Sequence, residues 1–566
     1  MHPRLTGTPL PPAKTVLSPL SSELKNMPGF HDLQTYYPGL GIFSNMQKPI
    51  SGDIWFDHMY RVAAVKVSGD STKSSGPVTL RIEKNKVDSG ESVQDISGFR
   101  KITHLLDPVS WVQGKYSAPK NVHLPWQQAE GQTTWSTKLQ DPMNQAYVEA
   151  LATYALSILR ERDLSPHFHN FYGAFCAIAD TYAYNISDSY MSYRHCRWFW
   201  TGQEKGVFRV GFDEDTPDEV RQAVLLKPDE NDMEDTDEDS SNDENKKDNK
   251  EKDTEELTGL DATVDNASLH SAGSDDIDDA SSDDDDDDDD EEDELDIFAE
   301  IKNFPVMVIY TESSESTMDD LLNDYEAVGA KPGTKQWDLI WTAWVFQVIA
   351  ALSVAQSVFG FTHNDLHSNN IVWSKTDTPF LYYSTRDGVV FKVPTFGRIF
   401  RLIDFGRSIF TVNKKLFFSD DFRPGNDAAE QYNFGEFYES DKDLVMPNPS
   451  FDLARFTVSV FESLFPSSPP RRKDGSVLSN EPGLKIVETE SDLYNLLWTW
   501  LLCDDGHNIL MEADGTERYP DFELYKIISA QVSGAIPADQ VLKPIFEKFR
   551  VDSAATQNQK VYSLFC

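Results

Sequence analysis

Residues 229–296 set the strongest limit on what this chain can fold into. They hold 34 Asp and Glu against 4 Lys, with eight consecutive Asp at 283–290. Such a block buries too little apolar surface to offset its ordering entropy, and its like charges repel it into an extended state. The packed structure must be assembled from sequence on both sides of it. The block carries −30 of the formal net charge of −43, leaving −13 for all other residues. The acidity therefore belongs to one segment and argues against a general nucleic-acid binder. A solvated insertion is expected, with Ca²⁺ or basic proteins as the partners such a run attracts. Ser281 and Ser282 precede acids and are candidate phosphorylation sites.

The remaining sequence is ample for a large enzyme. Of 566 residues, 39% are hydrophobic, including 12 Trp, 21 Tyr and 34 Phe. That is enough for two or three domains, or for one two-lobed fold with insertions. Cys176, Cys196, Cys503 and Cys566 form no C-x-x-C pair, which points to neither a disulfide framework nor a cysteine zinc site. A reducing, intracellular compartment is expected, cytoplasmic or nuclear. The proline-rich N-terminus lacks the apolar core of a secretory signal. The stretch 341–361 has the length of a membrane span, but Thr342, Gln347, Ser353, Gln356 and Ser357 interrupt it. A buried helix is expected there, and no membrane association.

Residues 1–40, rich in Pro, Ser and Gly, are expected to form a flexible tail. The β-branched run from Arg61 to Val67 predicts a strand. Tyr147, Leu151, Tyr154 and Ile158 lie on one helical face and predict a helix over 144–162. Strand patterns recur at 171–178, 207–212, 304–310 and 399–403. A helix is predicted over 337–358, and mainly helical structure from 450 onward. This order predicts an α+β protein with a small sheet lobe and a helical lobe.

Two motifs carry chemistry: His363-Asn364-Asp365-Leu366-His367-Ser368-Asn369-Asn370 and Asp404-Phe405-Gly406. Phosphoryl transfer from ATP needs the acceptor hydroxyl held in line, the phosphates fixed, and Mg²⁺ to neutralise developing charge. Asp365, Asn370 and Asp404 are the side chains for that work, and Asp365 and Asn370 have the spacing of a kinase catalytic loop. Each motif alone is weak. Together, in this order and each after a predicted buried element, they form the strongest signal in the chain.

On these residues the chain resembles the eukaryotic protein kinase superfamily, and more closely its divergent members in large DNA viruses and protists. Those proteins share a His like His367 after the Asp-Leu pair. They also carry a segment like Val393-Pro394-Thr395-Phe396-Gly397-Arg398-Ile399-Phe400 before Ile403-Asp404-Phe405-Gly406-Arg407-Ser408. The match is firm over about 304–465. The resemblance implies a bilobal protein kinase-like fold with a small β-sheet lobe, a larger helical lobe and large insertions. The small lobe would span 41–312, with insertions at about 68–141 and 205–300. The helical lobe would span 313–566, with catalytic loop 363–370, metal-binding motif 404–406 and activation segment about 404–449.

The activity so implied is ATP- and Mg²⁺-dependent transfer of the γ-phosphate to a protein hydroxyl. Asp365 would accept or orient the hydroxyl proton, and Asn370 and Asp404 would bind Mg²⁺. Asp452 would brace the backbone of the catalytic loop, its alternative being a helix N-terminal Asp stabilised by the dipole. His363 would be a packed, hydrogen-bonded support, and Gly406 completes the metal-binding motif. In Val62-Ala63-Ala64-Val65-Lys66 the lysine would bind the α- and β-phosphates, with Lys84 as the fallback. Gly52 resembles the end of a glycine-rich loop. Glu149 would pair with Lys66, and Glu161 competes for that role. The backbone around 310–312 would contact adenine.

Four departures from the family pattern bear on function. The full G-x-G-x-x-G is absent. Asn364 replaces the arginine that pairs with a phosphorylated activation loop, which argues against switching by that route. His367 stands where serine/threonine kinases place Lys. No A-P-E follows, and Met446-Pro447-Asn448-Pro449 occupies its place. Two other functions stay open: a nucleotide-binding scaffold without turnover, and a small-molecule kinase.

Overall fold

The computed structural model describes residues 15–17, 20–44, 54–67, 74–84, 93–116, 124–125, 134–213, 215–228, 233, 295–466, 489–512 and 516–565. Its first elements correct the expectation of a flexible tail. Helices α1 (Ser22–Lys25) and α2 (Pro38–Ser44) flank strand β1 (Phe30–Gln34). Ser21 caps α1 by accepting from Leu24 N at 3.0 Å, one of the donors a helix start leaves unpaired. Leu24, Met27, Tyr37 and Leu40 are buried. The proline and serine content hid large apolar residues recurring every few positions.

Three antiparallel strands follow: β2 (Tyr60–Lys66), β3 (Gly76–Lys84) and β4 (Gln94–His104). Their inward positions alternate, with Val62 and Ala64, then Val78, Leu80 and Ile82, then Arg100 and Ile102, the period that a one-sided sheet requires. Gly98 faces the Leu80 side chain so closely that a Cβ would collide with it. The range 68–141, expected as an insertion, therefore contains two strands of the main sheet. Charged residues at the outward positions masked them.

Helix α3 (Gln145–Glu161) is capped by Asn144, whose side chain accepts from Ala146 N, and is buried from Ala146 to Leu159. Strands β5 (Phe171–Asn185) and β7 (Ile297–Glu312) complete the order β1-β5-β7-β4-β3-β2, and β6 (Phe208–Phe212) pairs with β7 off this path. The chain divides into two compact units: Met1–Leu106 with His123–Ile178 and Pro305–Cys566, and Asp107–Val122 with Ala179–Phe304.

The second unit has an aromatic core of its own. Tyr182 stacks on Phe304 at 5.4 Å, Trp111 meets Phe304 edge-on at 5.4 Å, and Phe199 packs on Phe208. There β6 pairs antiparallel with residues 297–301 of β7. The insertion expected over 205–300 thus has folded flanks that begin at 179. Apart from Met233, Leu295 and Asp296, the acidic run 229–296 lies outside the described residues.

In the first unit, helix α4 (Lys335–Phe359) starts at the Thr334 cap and ends at Gly360, whose φ of 58° favours glycine. Trp337, Trp341 and Trp344 follow helical spacing and are fully buried. Among the described residues α4 is the one helix long and apolar enough to cross a membrane, yet 89% of its most apolar window is buried in protein. Hairpin strands β8 (Ile371–Lys375) and β9 (Arg398–Leu402) come next, then helices α5 (Phe451–Leu464), α6 (Asp492–Trp500) and α7 (Glu523–Gln531). The stretch between β8 and β9 adds two strands, Phe380–Ser384 and Val390–Pro394. They pair with Val561–Ser563 and Arg550–Val551 near the C-terminus, where helix was expected. The architecture is mixed α+β, as the order of patterns predicts.

Candidate active site

The β8–β9 ladder brings the two motifs side by side. Ile371 pairs with Leu402, and Ile403 N donates to Asn370 O at 3.0 Å. Asn370 and Asp404 therefore leave the same end of the hairpin. Asp452, in the first turn of α5 and fully buried, accepts from His363 N at 2.9 and 3.0 Å and from Asn364 N at 3.0 Å. It ties the start of the 363–370 loop to α5. Burial pushes its carboxyl up, opposed by His363 and these N–H groups.

Asn364 takes the left-handed backbone at φ 66°, which Asn tolerates better than most residues. Its amide donates to Arg407 O at 2.8 Å, and its oxygen accepts from Tyr432 Oη at 2.6 Å. The Asn364 side chain is thus occupied by neighbours on both its oxygen and its nitrogen. A ring nitrogen of His363 bonds Ile403 O at 2.8 Å, and the ring packs on Phe405 at 5.5 Å, a structural placement. A Cβ at Gly406 would come within 3.1 Å of Gln145 Nε2, so a larger residue here would make the Gln145 side chain at the start of α3 shift.

Asp365 is 8% exposed. Tyr525 Oη on α7 donates to its Oδ1 at 2.7 Å, and Arg407 lies 3.8 Å from Oδ2. Arg455 Nε donates to Tyr525 Oη at 2.9 Å. Burial alone would raise the Asp365 pKa. The positive charges of Arg407, His367 and Arg455, with the Tyr525 bond, instead hold it at about 2. Burial lowers His367 to about 4 against the pull of Asp365, so at neutral pH it is a neutral imidazole. Asn370 Nδ2 donates to Asp365 O at 2.9 Å and meets His367 Nε2 at 3.0 Å. With both donors engaged, the amide presents Oδ1, the atom a magnesium ion takes.

The cation of the site is Lys101, on β4. Its Nζ lies 2.5 Å from Glu149 Oε1 and 2.9 Å from Asp404 Oδ1. Thr103 Oγ1 donates to Glu149 Oε2 at 3.1 Å. Burial disfavours the ammonium, but Asp404 and Glu149 outweigh it and raise its pKa. Asp404 is held below its ordinary value by Lys101 despite burial, whereas burial pushes the deeper Glu149 up. A cavity of about 390 Å³ opens on this group. Phe99, Leu156, Ile309, Val372 and Ile403 give it apolar walls, with Lys101, Glu149 and Asp404 at one end. Its size and mixed lining suit a small organic ligand with an anionic tail.

The structure thus brings Asp365, Asn370, Asp404, Glu149, His363, Gly406 and Asp452 together. It does not bring Lys66 to them. Lys66 sits on the outermost strand of the sheet, its side chain 58% exposed, and pairs with Asp95 at 2.9 Å. An edge strand offers solvent, not a partner across a cleft, so the expected Lys66–Glu149 pair is replaced by Lys101–Glu149. Lys84, the fallback, is exposed at the end of β3. Glu161 is half-buried at the far end of α3, where its carboxylate accepts from Met59 N. Gly52 lies outside the described residues.

Sequence reasoning also missed Thr103, Arg407, Arg455 and Tyr525. The signal for Lys101 was Phe99-x-Lys101-x-Thr103, one face of a strand by period two. Among the described residues no group of three or more His, Cys, Asp or Glu closes a metal site. One carboxylate with one amide oxygen is instead a donor set for Mg²⁺, which keeps waters and takes phosphate oxygens. No protein-family model matches the chain, and a search of curated proteins gives no match either.

Proposed function

We propose that this chain is a divergent protein kinase-like phosphotransferase with a bilobal fold, transferring the γ-phosphate of ATP to a protein hydroxyl. The observation that carries this reading is Lys101 bridging Glu149 and Asp404 in the wall of a cavity beside the Asp365–Asn370 loop. Lys101 would hold the α- and β-phosphates, its ammonium kept charged and oriented by Glu149. Asp404 and Asn370 Oδ1 would hold Mg²⁺, which when bound supplies neutralisation of phosphate charge. The backbone of residues 310–312, at the end of β7, would lie along the base.

Asp365 would orient the acceptor hydroxyl. As the hydroxyl oxygen bonds to the γ-phosphorus, the bond to the β–γ bridging oxygen breaks and ADP leaves. The hydroxyl proton passes to Asp365. A carboxylate held at about 2 is a weak base, so its main contribution is position, with the proton taken late. That suits a loose transition state, in which the attacking oxygen carries little positive charge until bond formation is advanced.

A scaffold that binds nucleotide without turnover is the second reading. The observation favouring it is Tyr525, whose hydroxyl already occupies Asp365 Oδ1. Thermal unfolding with and without Mg²⁺-ATP, alongside radiolabelled ATP transfer to protein and small-molecule acceptors, separates the readings. Nucleotide at a hundredfold excess over its dissociation constant adds about 2.7 kcal/mol to stability. A shift with label on protein supports the kinase, and a shift without any transfer supports the scaffold. Label only on small molecules makes it a small-molecule kinase. No shift and no transfer overturns all three.

A further inference from the structure

Asp420 is 1% exposed, midway along the segment that follows Asp404-Phe405-Gly406. Three of its polar groups reach the approach to α3. Its Oδ1 accepts from Gln145 N at 2.8 Å, its Oδ2 lies 2.7 Å from Lys138 Nζ, and its N donates to Met143 O at 2.8 Å. Gln145 N is one of the donors a helix start leaves unpaired, and Asn144 serves the next one. A negative charge there also opposes the positive end of the helix dipole. Glu149 lies one turn further along the same face. The position of Asp420 therefore bears directly on where Glu149 meets Lys101.

The surrounding contacts act in the same sense. Arg423, three residues on, pairs with Asp141 just before α3 and with Glu436 at 2.9 Å. Arg407 lies between Asp365 and Asp421, 3.6 Å from the latter. Ser419, the hydroxyl next to Asp420, is buried and accepts from Asp421 N at 3.1 Å. Carboxylates of the chain itself already fill the cationic and N–H positions around this segment.

We propose that Asp420 is a positioning residue, a built-in carboxylate that holds α3, and hence Glu149, against Lys101 without phosphorylation of the 404–449 segment. The idea rests on the phosphotransferase reading for its activity consequence, but not for the packing it describes. The test uses the full chain, expressed with a broad-specificity phosphatase and shown unmodified by intact mass. Wild type, Asp420→Ala, Asp420→Asn and Lys138→Met are compared for ATP transfer and for hydrogen exchange of residues 142–150.

Unmodified wild type is expected to transfer phosphate within twofold of the untreated protein. Asp420→Ala is expected to lose at least tenfold in kcat with a smaller change in KM for ATP, and to exchange faster at Gln145 and Ala146. Asp420→Asn keeps an acceptor for Gln145 N and should recover part of the rate. Lys138→Met, which leaves the carboxylate in place, should lose less than Asp420→Ala and serves if that variant does not fold. Loss of activity on dephosphorylation overturns the proposal, as does equal exchange over 142–150 in wild type and in the folded variants. Absence of transfer by wild type overturns the phosphotransferase reading instead, and the exchange comparison still decides the part played by Asp420.

Discussion

Lys101 Nζ stands 2.5 Å from Glu149 Oε1, joining strand β4 to helix α3 where both line the cavity. The pair is asymmetric, with Glu149 3% exposed and the Lys101 side chain 29% exposed. Lys101 is thus the end that can also reach a ligand. Lys101→Met is predicted to lower kcat/KM for ATP by about 10²–10³-fold, whereas Lys66→Ala should stay within twofold. Initial rates of both variants check this, and equal losses would return Lys66 to the site.

Asp452 holds two buried backbone N–H groups of the 363–370 loop. Asp452→Ala leaves both unpaired, at about 1–3 kcal/mol each. A loss of about 2–6 kcal/mol is expected in denaturant unfolding, with transfer activity falling as the loop loosens. A variant as stable as wild type would mean that Asp452 is only a helix-terminal charge.

Tyr525→Phe removes the hydrogen bond to Asp365 Oδ1 and leaves the ring in place. That bond favours the charged carboxylate, so its loss raises the Asp365 pKa and moves the acid limb of the pH–rate profile upward. The scaffold reading predicts a gain of transfer activity on the same substitution, because the carboxylate is uncovered. At pH 7, well above that limb, the kinase reading predicts no gain in rate, so a gain there favours the scaffold reading.

Burial lowers His58 to about 4 and His167 and His169 to about 3. Below pH 6.5 the unfolded chain takes up protons that these folded imidazoles refuse. Stability therefore falls as pH drops from 6.5 towards 4, each histidine contributing at most about 1.4 kcal/mol for every pH step of one. Asp365 acts in the opposite range. Its depressed pKa stabilises the fold above the unfolded carboxylate value, and that contribution disappears only as pH approaches 2. Calorimetry from pH 7.5 to 4.5 should show a steadily falling Tm, and a flat profile contradicts the buried neutral histidines.

The legible parts of the site were those where neighbouring residues act together. Asp365 and Asn370 share one loop, and Asp404 follows a strand that pairs next to it, so local spacing was enough to group them. Glu149 was legible because the periodic face of α3 is long. Lys101 was not, since its partners lie 48 and 303 positions away, and Asp95, Arg100 and Lys101 itself disguise the strand carrying it. Val62-Ala63-Ala64-Val65-Lys66 drew attention because an edge strand can show the same residues as a site strand. Tyr525 and Arg455 act through tertiary packing of α5 against α7, for which no spacing rule exists. The N-terminal elements were hidden by composition, since proline and glycine there shape turns between buried residues such as Leu24 and Tyr37.

Transfer of the γ-phosphate from radiolabelled ATP, measured for wild type and Asp404→Asn with Mg²⁺ and a protein acceptor, tests the central claim most directly. Lys101, Glu149, Asp404, Asn370 and Asp365 acting as one phosphotransfer site predicts Mg²⁺-dependent labelling by wild type. It also predicts a loss of about a hundredfold or more in the variant. Equal labelling by the two proteins, or labelling that persists without divalent metal, would contradict it.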